Sequence, residues 1–260
     1  MEKKEQEKKL VDDGELLFNY ADIKKSERVV EADEVMELIA SSKGVSRKAL
    51  ILLTGNLLRT DLINLQKNKK VKVKNCSEIS INKPQKVFYT TKKMDIKSVQ
   101  IMELLGYGIW YFRSINGMLQ KNTAKVGKVS IREDYSAIAT AVVGDDDYVL
   151  MELIAVNLRD YKRKLSTPKN ESLQRVIIVD SRELLKIITK EYDLTNCIIV
   201  SVQNKKYIKG IYISQSNAVV IDDSFDFTQL VTHKGNREVE RVLDSYKKLD
   251  RLRQKNAFKK

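Results

Sequence analysis

The chain has 260 residues, 42% of them hydrophobic and 32% charged, and its 48 Lys and Arg exceed its 35 Asp and Glu to give a formal net charge of +13. This length allows one large domain or two small ones, each with a hydrophobic core, and the apolar content excludes a wholly disordered chain. The two cysteines exclude a disulfide-stapled secreted fold, and no apolar run reaches the roughly 18 residues that a membrane-spanning helix needs.

The first residues of the chain are charged and alternate in sign. They lack the apolar core of a secretory signal, so we expect a cytoplasmic protein. Shifts in composition then predict four segments. They are a charged tail over residues 1–14, an N-terminal α/β unit over 15–119, a polar linker over 120–134 and a C-terminal α/β unit over 135–260.

The first regular elements follow the charged tail. Glu31–Ser41 has apolar residues on one helical face and acidic residues at its start, which predicts a helix. Lys48–Thr54 is a short apolar run followed by Gly55, which is typical of a strand buried on both faces. Leu57–Lys67 has apolar residues at helical spacing, and the alternation over Val71–Val73 predicts a short strand.

The same stretch has a second interpretation as a winged helix. Glu31–Ser41 is then the first helix and Ser46–Thr54 the second. Leu57–Lys67 becomes the recognition helix, and Lys70–Lys74 forms part of the wing. The run Ala49–Leu53 is more apolar than a typical surface helix, so the sequence favours the strand and leaves the winged helix as the alternative.

A strand–helix–strand unit is expected next. Lys86–Thr91 is rich in residues that favour strands, and Asp95 can cap a helix over Ile96–Leu105. Gly106 can supply the left-handed residue that ends this helix. Tyr107–Arg113 is dense in aromatic residues, which predicts a second strand parallel to the first.

The C-terminal half has strong strand signals. Two apolar runs separated by an acidic turn predict a hairpin, and a strand and a helix precede a three-stranded meander. These elements are the hairpin Ala137–Val143 and Tyr148–Val156, the strand Arg175–Asp180, the helix Arg182–Tyr192 and the meander Cys197–Val202, Tyr207–Ile213 and Ala218–Ile221. A long amphipathic helix from Asn236 to Lys255 ends the chain. The predicted fold class is therefore α/β, with two loosely similar strand–helix–strand units, a β-meander and a C-terminal helix.

The positive charge is concentrated in two stretches. Residues 67–97 carry ten Lys against two acids, a net charge of +8, and residues 234–260 carry ten Lys and Arg against four acids, a net charge of +6. Concentrated patches favour an anionic partner over a merely solvated surface, and we expect a nucleic acid whose phosphates contact them. The candidate contacts are Lys67, Lys69, Lys70, Lys72, Lys74, Lys86, Lys92, Lys93, Arg113, Arg241, Lys247, Lys248, Arg251 and Arg253.

Aromatic residues lie among these basic residues. Because every base has a π-face, aromatic side chains within a basic surface are typical of proteins that bind single strands. If Tyr107–Arg113 is a strand, Trp110 and Phe112 share one face and Tyr111 takes the other. Tyr89 and Tyr111 are therefore the candidates for base stacking.

Most catalytic classes lack a signature in this sequence. Neither a G-x-x-x-x-G-K-[ST] loop nor a G-x-G-x-x-G loop occurs, so nucleotide-driven chemistry by these motifs is not expected. One histidine and two distant cysteines cannot supply the roughly four ligands of a zinc site. We therefore expect no cofactor.

A Mg²⁺-dependent nuclease is the catalytic alternative, because carboxylates occur near predicted strand ends. Such an enzyme needs an acid pair that holds the metal and a lysine that steadies the attacking water. Asp180, Asp193 and Lys205 are the nearest match, although glutamine stands where the second acid is needed. Asp222 and Asp223 form a second candidate pair. Mg²⁺ is the expected cofactor only under this alternative.

A nucleic-acid-binding protein without catalysis of its own is thus the favoured function, with a role in regulation, replication, partition or packaging. A third hypothesis is a non-catalytic assembly subunit. In that case the apolar stripe of the C-terminal helix packs on a second copy of the chain or on another protein. No membrane partner is expected.

Overall fold

The structure, a computed structural model, combines helices with mixed β-sheets and confirms the predicted α/β class. It describes residues 10–11, 15–17, 32–55, 59–78, 84–115, 130–131, 136–143, 147–222 and 224–257. Residues 1–9 of the predicted tail and most of the predicted linker over 120–134 lie outside these ranges. The division of the chain into two α/β units therefore stays a prediction.

The described elements of the N-terminal half are mainly helical. In chain order they are β1 (Leu10–Val11), β2 (Glu15–Leu17), α1 (Ala32–Ala40), β3 (Val45–Ser46), α2 (Arg47–Thr54), α3 (Arg59–Lys67), β4 (Lys72–Cys76), β5 (Gln85–Tyr89) and α4 (Ile96–Ser114).

The C-terminal half contains most of the strands. Its elements are β6 (Ser130–Ile131), β7 (Ser136–Val142), β8 (Asp147–Val156), α5 (Tyr161–Leu165), β9 (Gln174–Val179), α6 (Arg182–Glu191), β10 (Cys197–Gln203), β11 (Tyr207–Ile213), β12 (Ala218–Ile221), β13 (Thr232–Lys234) and α7 (Gly235–Ala257). The predicted hairpin, meander and final helix are confirmed as β7–β8, β10–β12 and α7. Within the described ranges, no helix combines the length and the apolar character needed to cross a membrane.

Residues 32–89 have the element order of the winged-helix alternative. Three helices, α1 to α3, are followed by the antiparallel pair β4–β5, and β3 pairs with β5 to complete a three-stranded sheet in the order β3–β5–β4. The strand that the sequence favours over Lys48–Thr54 is therefore wrong, because these residues form α2.

Local caps and tertiary burial together explain why α2 is a helix. The Ser46 hydroxyl accepts a hydrogen bond from the Ala49 N–H at 3.0 Å, and Gly55 ends the helix in the left-handed region at φ +78°. Leu50 and Leu53 have no exposed surface. A helix buried on all sides needs no polar face, so its sequence is the unbroken apolar run that also suits a buried strand.

A ten-stranded mixed sheet combines the eight strands of the C-terminal half with β1 and β2 of the N-terminal half. Its order is β1–β2–β11–β10–β9–β8–β7–β6, with β12 paired to β11 and β13 paired to β8. β8, β9 and β10 run parallel to one another, and β7 and β11 flank them in antiparallel directions. The carboxyl ends of the three parallel strands therefore share one edge of the sheet.

One 19-residue helix, α4, replaces the helix and the strand predicted on either side of Gly106. The strand expected over Tyr107–Arg113 is wrong, and Gly106 lies inside the helix instead of ending it. Asp95 caps α4 as predicted, and its carboxylate accepts a hydrogen bond from the Lys97 N–H at 3.2 Å. The aromatic segment is buried on all sides, so it forms a helix without a polar face, and its composition resembles that of a strand.

Two glycines allow α4 to pack closely against the elements on both of its sides. A methyl group on Gly106 would lie 2.7 Å from Leu52 Cβ in α2, and one on Gly108 would lie 2.3 Å from Ile178 Cδ1 in β9. Helical residues two positions apart point in directions about 200° apart. α2 and the sheet therefore contact opposite sides of α4, which is the layer shared by the winged helix and the sheet.

The other face of the sheet carries α5, α6 and α7. Leu184 and Ile188 of α6 lie in one buried cluster on this face, and Val239 and Tyr246 of α7 lie in a second cluster with Leu150 of β8. The neighbours of Leu150 along β8 point to the α4 face, because alternate strand residues face opposite sides. The sheet thus separates α4 and the winged helix from α7.

We predict that Gly106→Ala destabilises the protein although alanine is the better helix former. In an unrestrained helix this change favours folding by about 1 kcal/mol. Here the added methyl group meets the Cβ atom of Leu52 at 2.7 Å, a separation that forces α2 and α4 apart. Because overpacking typically costs about 1–3 kcal/mol, we expect this cost to exceed the gain in helix propensity and to leave a net loss of up to about 2 kcal/mol in the free energy of unfolding, measured in urea.

Gln100→Ala provides the matched control for this prediction. Gln100 lies at an exposed position of the same helix, so the free energy of unfolding of this variant should differ from that of the wild type by less than about 0.5 kcal/mol. Unchanged or increased stability of Gly106→Ala would contradict the close contact between α2 and α4.

Candidate nucleic-acid interface

The first basic stretch forms a surface on the winged helix, which we call the wing surface. Its eight lysines are all exposed and lie at the end of α3, in the turn that follows, on β4 and β5, and in the loop after β5. They are Lys67, Lys69, Lys70, Lys72, Lys74, Lys86, Lys92 and Lys93. Among the residues that the structure describes, no carboxylate forms an ion pair with any of the eight, so their charges face solvent.

Local hydrogen bonds hold these lysines around the end of α3. Asn68 Oδ1 accepts from the Lys70 N–H at 2.9 Å, and the Asn68 carbonyl accepts from the Val71 N–H at 3.0 Å, which turns the chain from α3 into β4. Lys86 Nζ of β5 donates to Gln66 Oε1 of α3 at 3.3 Å. Lys86 therefore lies beside α3, whereas Lys72 and Lys74 lie on the other face of the β4–β5 pair, because Lys86 pairs with Asn75 and alternate strand residues face opposite sides.

The helix α3 has a buried face and an exposed face. Leu62 and Leu65 pack into the core and are only 5% and 7% exposed. Ile63 is 40% exposed, and Asn64 and Lys67 are also exposed. The outer face of α3 thus offers an apolar group, an amide and an ammonium group to a partner.

Arg113 does not belong to this surface, contrary to the sequence prediction. The residue is 9% exposed, and its guanidinium donates to the carbonyls of Leu52 and Leu53 at 2.7 and 2.6 Å. These are carbonyls of the last turn of α2, where a cation is favoured by the helix dipole. Arg113 therefore stabilises the end of α2 from within α4, a role that needs the tertiary contact to be recognised.

The aromatic candidates also need a correction. Tyr111 has no exposed surface, and its hydroxyl donates to the Ile221 carbonyl, so it cannot stack on a base. Tyr89 is half-buried on β5, directly across from Lys72 on β4. Tyr89 alone remains a predicted stacking residue.

The second basic stretch lies on α7. Arg237, Arg241 and Lys248 are exposed, and their spacing places them within about 40° of one another around the helix. We call these three residues the α7 stripe. Arg237 was missed in the sequence-based set, although the helical period was the signal that reveals it. The structure does not describe the side chains of the predicted contacts Lys247, Arg251 and Arg253.

A buried polar network fixes α7 on the sheet. The Tyr246 hydroxyl donates to Glu152 Oε1 of β8 at 2.8 Å. Arg175 of β9 donates to Glu152 Oε2 through Nε at 3.2 Å and Nη2 at 3.1 Å. Arg175 also donates to the carbonyls of Thr167 and Pro168, both at 2.9 Å. Since this buried carboxylate is paired and hydrogen-bonded, the network has a structural role.

The residues of the predicted nuclease site are only partly brought together. Asp180 follows β9 and Lys205 lies in the turn after β10, so both are at the carboxyl edge of the parallel strands. Asp193 precedes β10 and therefore lies at the opposite edge.

Asp193 and Asp222 accept hydrogen bonds from groups two residues further along the chain. Asp193 accepts from the Thr195 N–H at 2.9 Å, and Asp222 accepts from the Ser224 N–H and hydroxyl at 2.8 and 2.6 Å. Hydrogen bonds from the side chains of Thr195 and Ser224, and then from their backbone N–H groups, lower the pKa of the Asp193 and Asp222 carboxyl groups. Asp223 lies outside the described residues. Within the described part of the chain, no group of three or more His, Cys, Asp or Glu is placed to hold a metal ion.

Lys205 takes part in a cluster that joins the winged helix to the sheet. Glu103 of α4 is 2% exposed, and its Oε1 lies 3.7 Å from Lys48 Nζ of α2 and 3.6 Å from Lys205 Nζ. Lys205 has a left-handed backbone at φ +56°, and its carbonyl accepts from the Tyr107 hydroxyl at 3.0 Å. Burial lowers the pKa of the Lys48 ammonium, and Glu103 opposes this effect. The cluster thus connects α2, α4 and the β10–β11 turn.

Comparisons of the chain with protein-family models, with curated proteins and with solved structures gave no match. The case for a function therefore rests on the geometry of the wing surface, the α7 stripe and the carboxyl edge of the sheet.

We predict that Asp180→Asn raises stability at neutral pH. Desolvation raises the pKa of the Asp180 carboxyl, and Asp160 raises it further, against opposing effects of a backbone hydrogen bond and of Lys205. Because the pKa of Asp180 is raised in the folded state, the free energy of unfolding falls as the pH rises through that pKa and the carboxyl group ionises. The neutral amide avoids this loss.

Thermal unfolding from pH 3 to pH 8 measures this effect. Asp180→Asn should unfold at a higher temperature at pH 7, with a gain below about 1 kcal/mol because the residue is exposed. The gain should vanish below about pH 4, where the unfolded-state aspartate is protonated too. A loss of stability at pH 7 would instead indicate that the Asp180 charge stabilises the fold.

Proposed function

We propose that this chain binds duplex DNA through its winged helix, without catalysis of its own. The observation that carries the proposal is the wing surface, where eight exposed lysines without carboxylate partners among the described residues lie at the end of α3, in the turn after it, on β4 and β5, and in the loop after β5. Phosphate contacts of this kind supply most of the affinity of a DNA-binding protein and depend steeply on salt. A role in regulation, replication, partition or packaging fits this activity.

The arrangement of α3 favours a duplex over a single strand. A major groove about 12 Å wide admits one helix, and α3 presents an exposed face with lysines at its end, in the turn that follows it and beside it on β5. Among the predicted stacking residues, only Tyr89 retains partial exposure. Single-strand binding through a series of stacked bases therefore has less support.

The exposed side chains of α3 also suit contacts with base edges. The Asn64 amide has the donor and acceptor pattern that pairs with adenine, and Ile63 offers an apolar surface to the methyl group of thymine. Two such side chains can bias the chain toward A·T-containing sites, while the lysines hold it on any duplex.

The nuclease alternative has less support than binding alone. Its predicted acids lie at opposite edges of the sheet, and the Lys205 ammonium lies beside Glu103. Metal-dependent hydrolysis needs carboxylates that converge on one position. We therefore infer binding and do not propose cleavage.

Charge reversal on the wing surface tests the proposed function. In the variant with Lys69, Lys70, Lys72 and Lys74 all changed to Glu, the affinity for duplex DNA should fall about 100-fold or more near 100 mM salt. The slope of log affinity against log salt should shrink by about 3–4, because each lost phosphate contact contributes about 0.9. Fluorescence anisotropy with a labelled duplex measures both quantities.

The control changes the same amount of charge on the opposite face of the sheet. Lys162, Arg163, Lys186 and Lys190 are exposed on α5 and α6, and all four are changed to Glu. For this variant, the slope of log affinity against log salt should stay within about one unit of the wild-type slope. Equal losses of affinity for duplex DNA in the two variants would mean that binding depends only on the net charge of the protein. Unchanged affinity of the wing-surface variant would contradict the wing surface as the binding site.

A further inference from the structure

The outer edge of β12, which we call the β12 edge, is exposed and carries no charged residue. Residues 210–221 contain no Asp, Glu, Lys or Arg, and this is the longest such run in the chain. The other long uncharged runs form α2, α4, β7 and β10, whose residues are mostly buried. In contrast, Gln215–Val219 are all exposed, and Val219 is 39% exposed. Natural proteins commonly protect a strand edge with charged residues or proline, and this edge has neither.

The hydrogen bonds of the β11–β12 hairpin show which backbone groups face this edge. The Ser214 N–H donates to the Asn217 carbonyl at 2.8 Å, so these two residues form a hydrogen-bonded pair. Hydrogen-bonded and non-hydrogen-bonded pairs alternate along antiparallel strands, so Val219 belongs to the next hydrogen-bonded pair. The backbone N–H and C=O groups of Ala218 and Val220 therefore point away from β11. Within the described ranges β12 pairs with no strand except β11, so these four groups lie at a free edge.

The β12 edge is complementary to a second copy of itself. If two β12 strands pair antiparallel about a two-fold axis at Val219, Ala218 of each copy lies opposite Val220 of the other. Both residues direct their backbone groups to this edge, so the two pairs form four hydrogen bonds. Val219 then lies opposite Val219 of the second copy in a non-hydrogen-bonded pair, where side chains approach most closely. The two exposed isopropyl groups thus cover each other.

The charge of the chain restricts where two copies can approach. Two molecules with a net charge of +13 repel each other over much of their surface. In the two-fold pairing, Asp222 of one copy lies opposite Ser216 of the other, so no like charges meet along the β12 edge. β4 is an edge strand of the three-stranded sheet and differs in this respect. It carries exposed Lys72 and Lys74, so pairing of two β4 strands would bring ammonium groups together.

We propose that two copies of the chain associate through their β12 strands and join their ten-stranded sheets into one continuous sheet. This interaction is independent of DNA binding, and its test contains no DNA. Strand addition at a free sheet edge is a general mode of protein association in which main-chain hydrogen bonds supply the affinity. Four hydrogen bonds and one apolar pair form a small interface, so we expect a transient dimer that is populated at about 100 μM protein.

Sedimentation velocity of the full chain tests this dimer. About 300 mM salt screens the repulsion between the copies. The wild-type mass should rise from that of one chain at about 1 μM toward that of two chains at about 100 μM. Val219→Lys should remain a monomer at about 100 μM, because two ammonium groups would lie directly opposite each other. The matched control Val219→Thr keeps a branched, uncharged side chain at this position and should still form the dimer.

A mixture of opposite charges tests the two-fold register. Val219→Asp alone should also remain a monomer. An equimolar mixture of Val219→Lys and Val219→Asp should associate at least about tenfold more tightly than either variant alone, because opposite charges then face each other. This rescue requires residue 219 of one copy to face residue 219 of the other. Circular dichroism melting checks that each variant is folded.

Each of the other outcomes overturns the proposal. A wild type that is still monomeric at about 100 μM lacks the expected dimer. If Val219→Lys dimerises as well as the wild type, the interface lies elsewhere on the chain. If the mixture is no more dimeric than its two components, the strands do not pair about Val219. None of these results changes the proposed function, because the duplex titration of the wing-surface variant is a separate measurement.

Discussion

The packing of α4 between two layers is the constraint on which the rest of the structure depends. Most of its side chains are buried, because α2 covers one side and the sheet covers the other. Gly106 and Gly108 make this possible, since a single methyl group at either position would collide with the neighbouring layer. With α4 fixed, the winged helix can occupy only the side of α4 that the sheet leaves open.

Buried polar contacts give these apolar layers a single arrangement. Arg113 binds the last carbonyls of α2, the Glu103 cluster joins α2 to the β10–β11 turn, and Glu152 joins α7 to the sheet. A hydrophobic interface alone tolerates sliding, whereas a buried charge is costly unless its partner is in place. Each contact lies between two different layers. Together they determine the relative positions of the surfaces that face solvent.

The wing surface is the solvent-facing part of this scaffold where exposed lysines are most concentrated. The wing surface and the α7 stripe are separated by the core, and each is carried by elements that the core holds rigidly. A rigid scaffold that presents exposed lysines without carboxylate partners among the described residues suits a partner with a regular array of negative charge, such as duplex DNA. The carboxyl edge of the sheet differs, because Lys164 pairs with Asp160 and Lys205 lies 3.6 Å from Glu103 of α4. That difference is why binding has more support than catalysis.

The sequence by itself determined the features that depend on local composition and on regular spacing. The two basic stretches, the α/β class, the β7–β8 hairpin, the meander and α7 were all predicted, because alternation and helical spacing survive wherever one face meets solvent or a single layer. Only the tertiary structure decided that Lys48–Thr54 and Tyr107–Arg113 are helical, that Arg113 and Tyr111 are buried, and that Asp180 and Asp193 lie at opposite edges of the sheet. The physical reason is the same for α2 and α4. A helix that is enclosed on all sides has no polar face, so the spacing that distinguishes it from a strand is absent from its sequence, and its contacts come from residues far away in the chain.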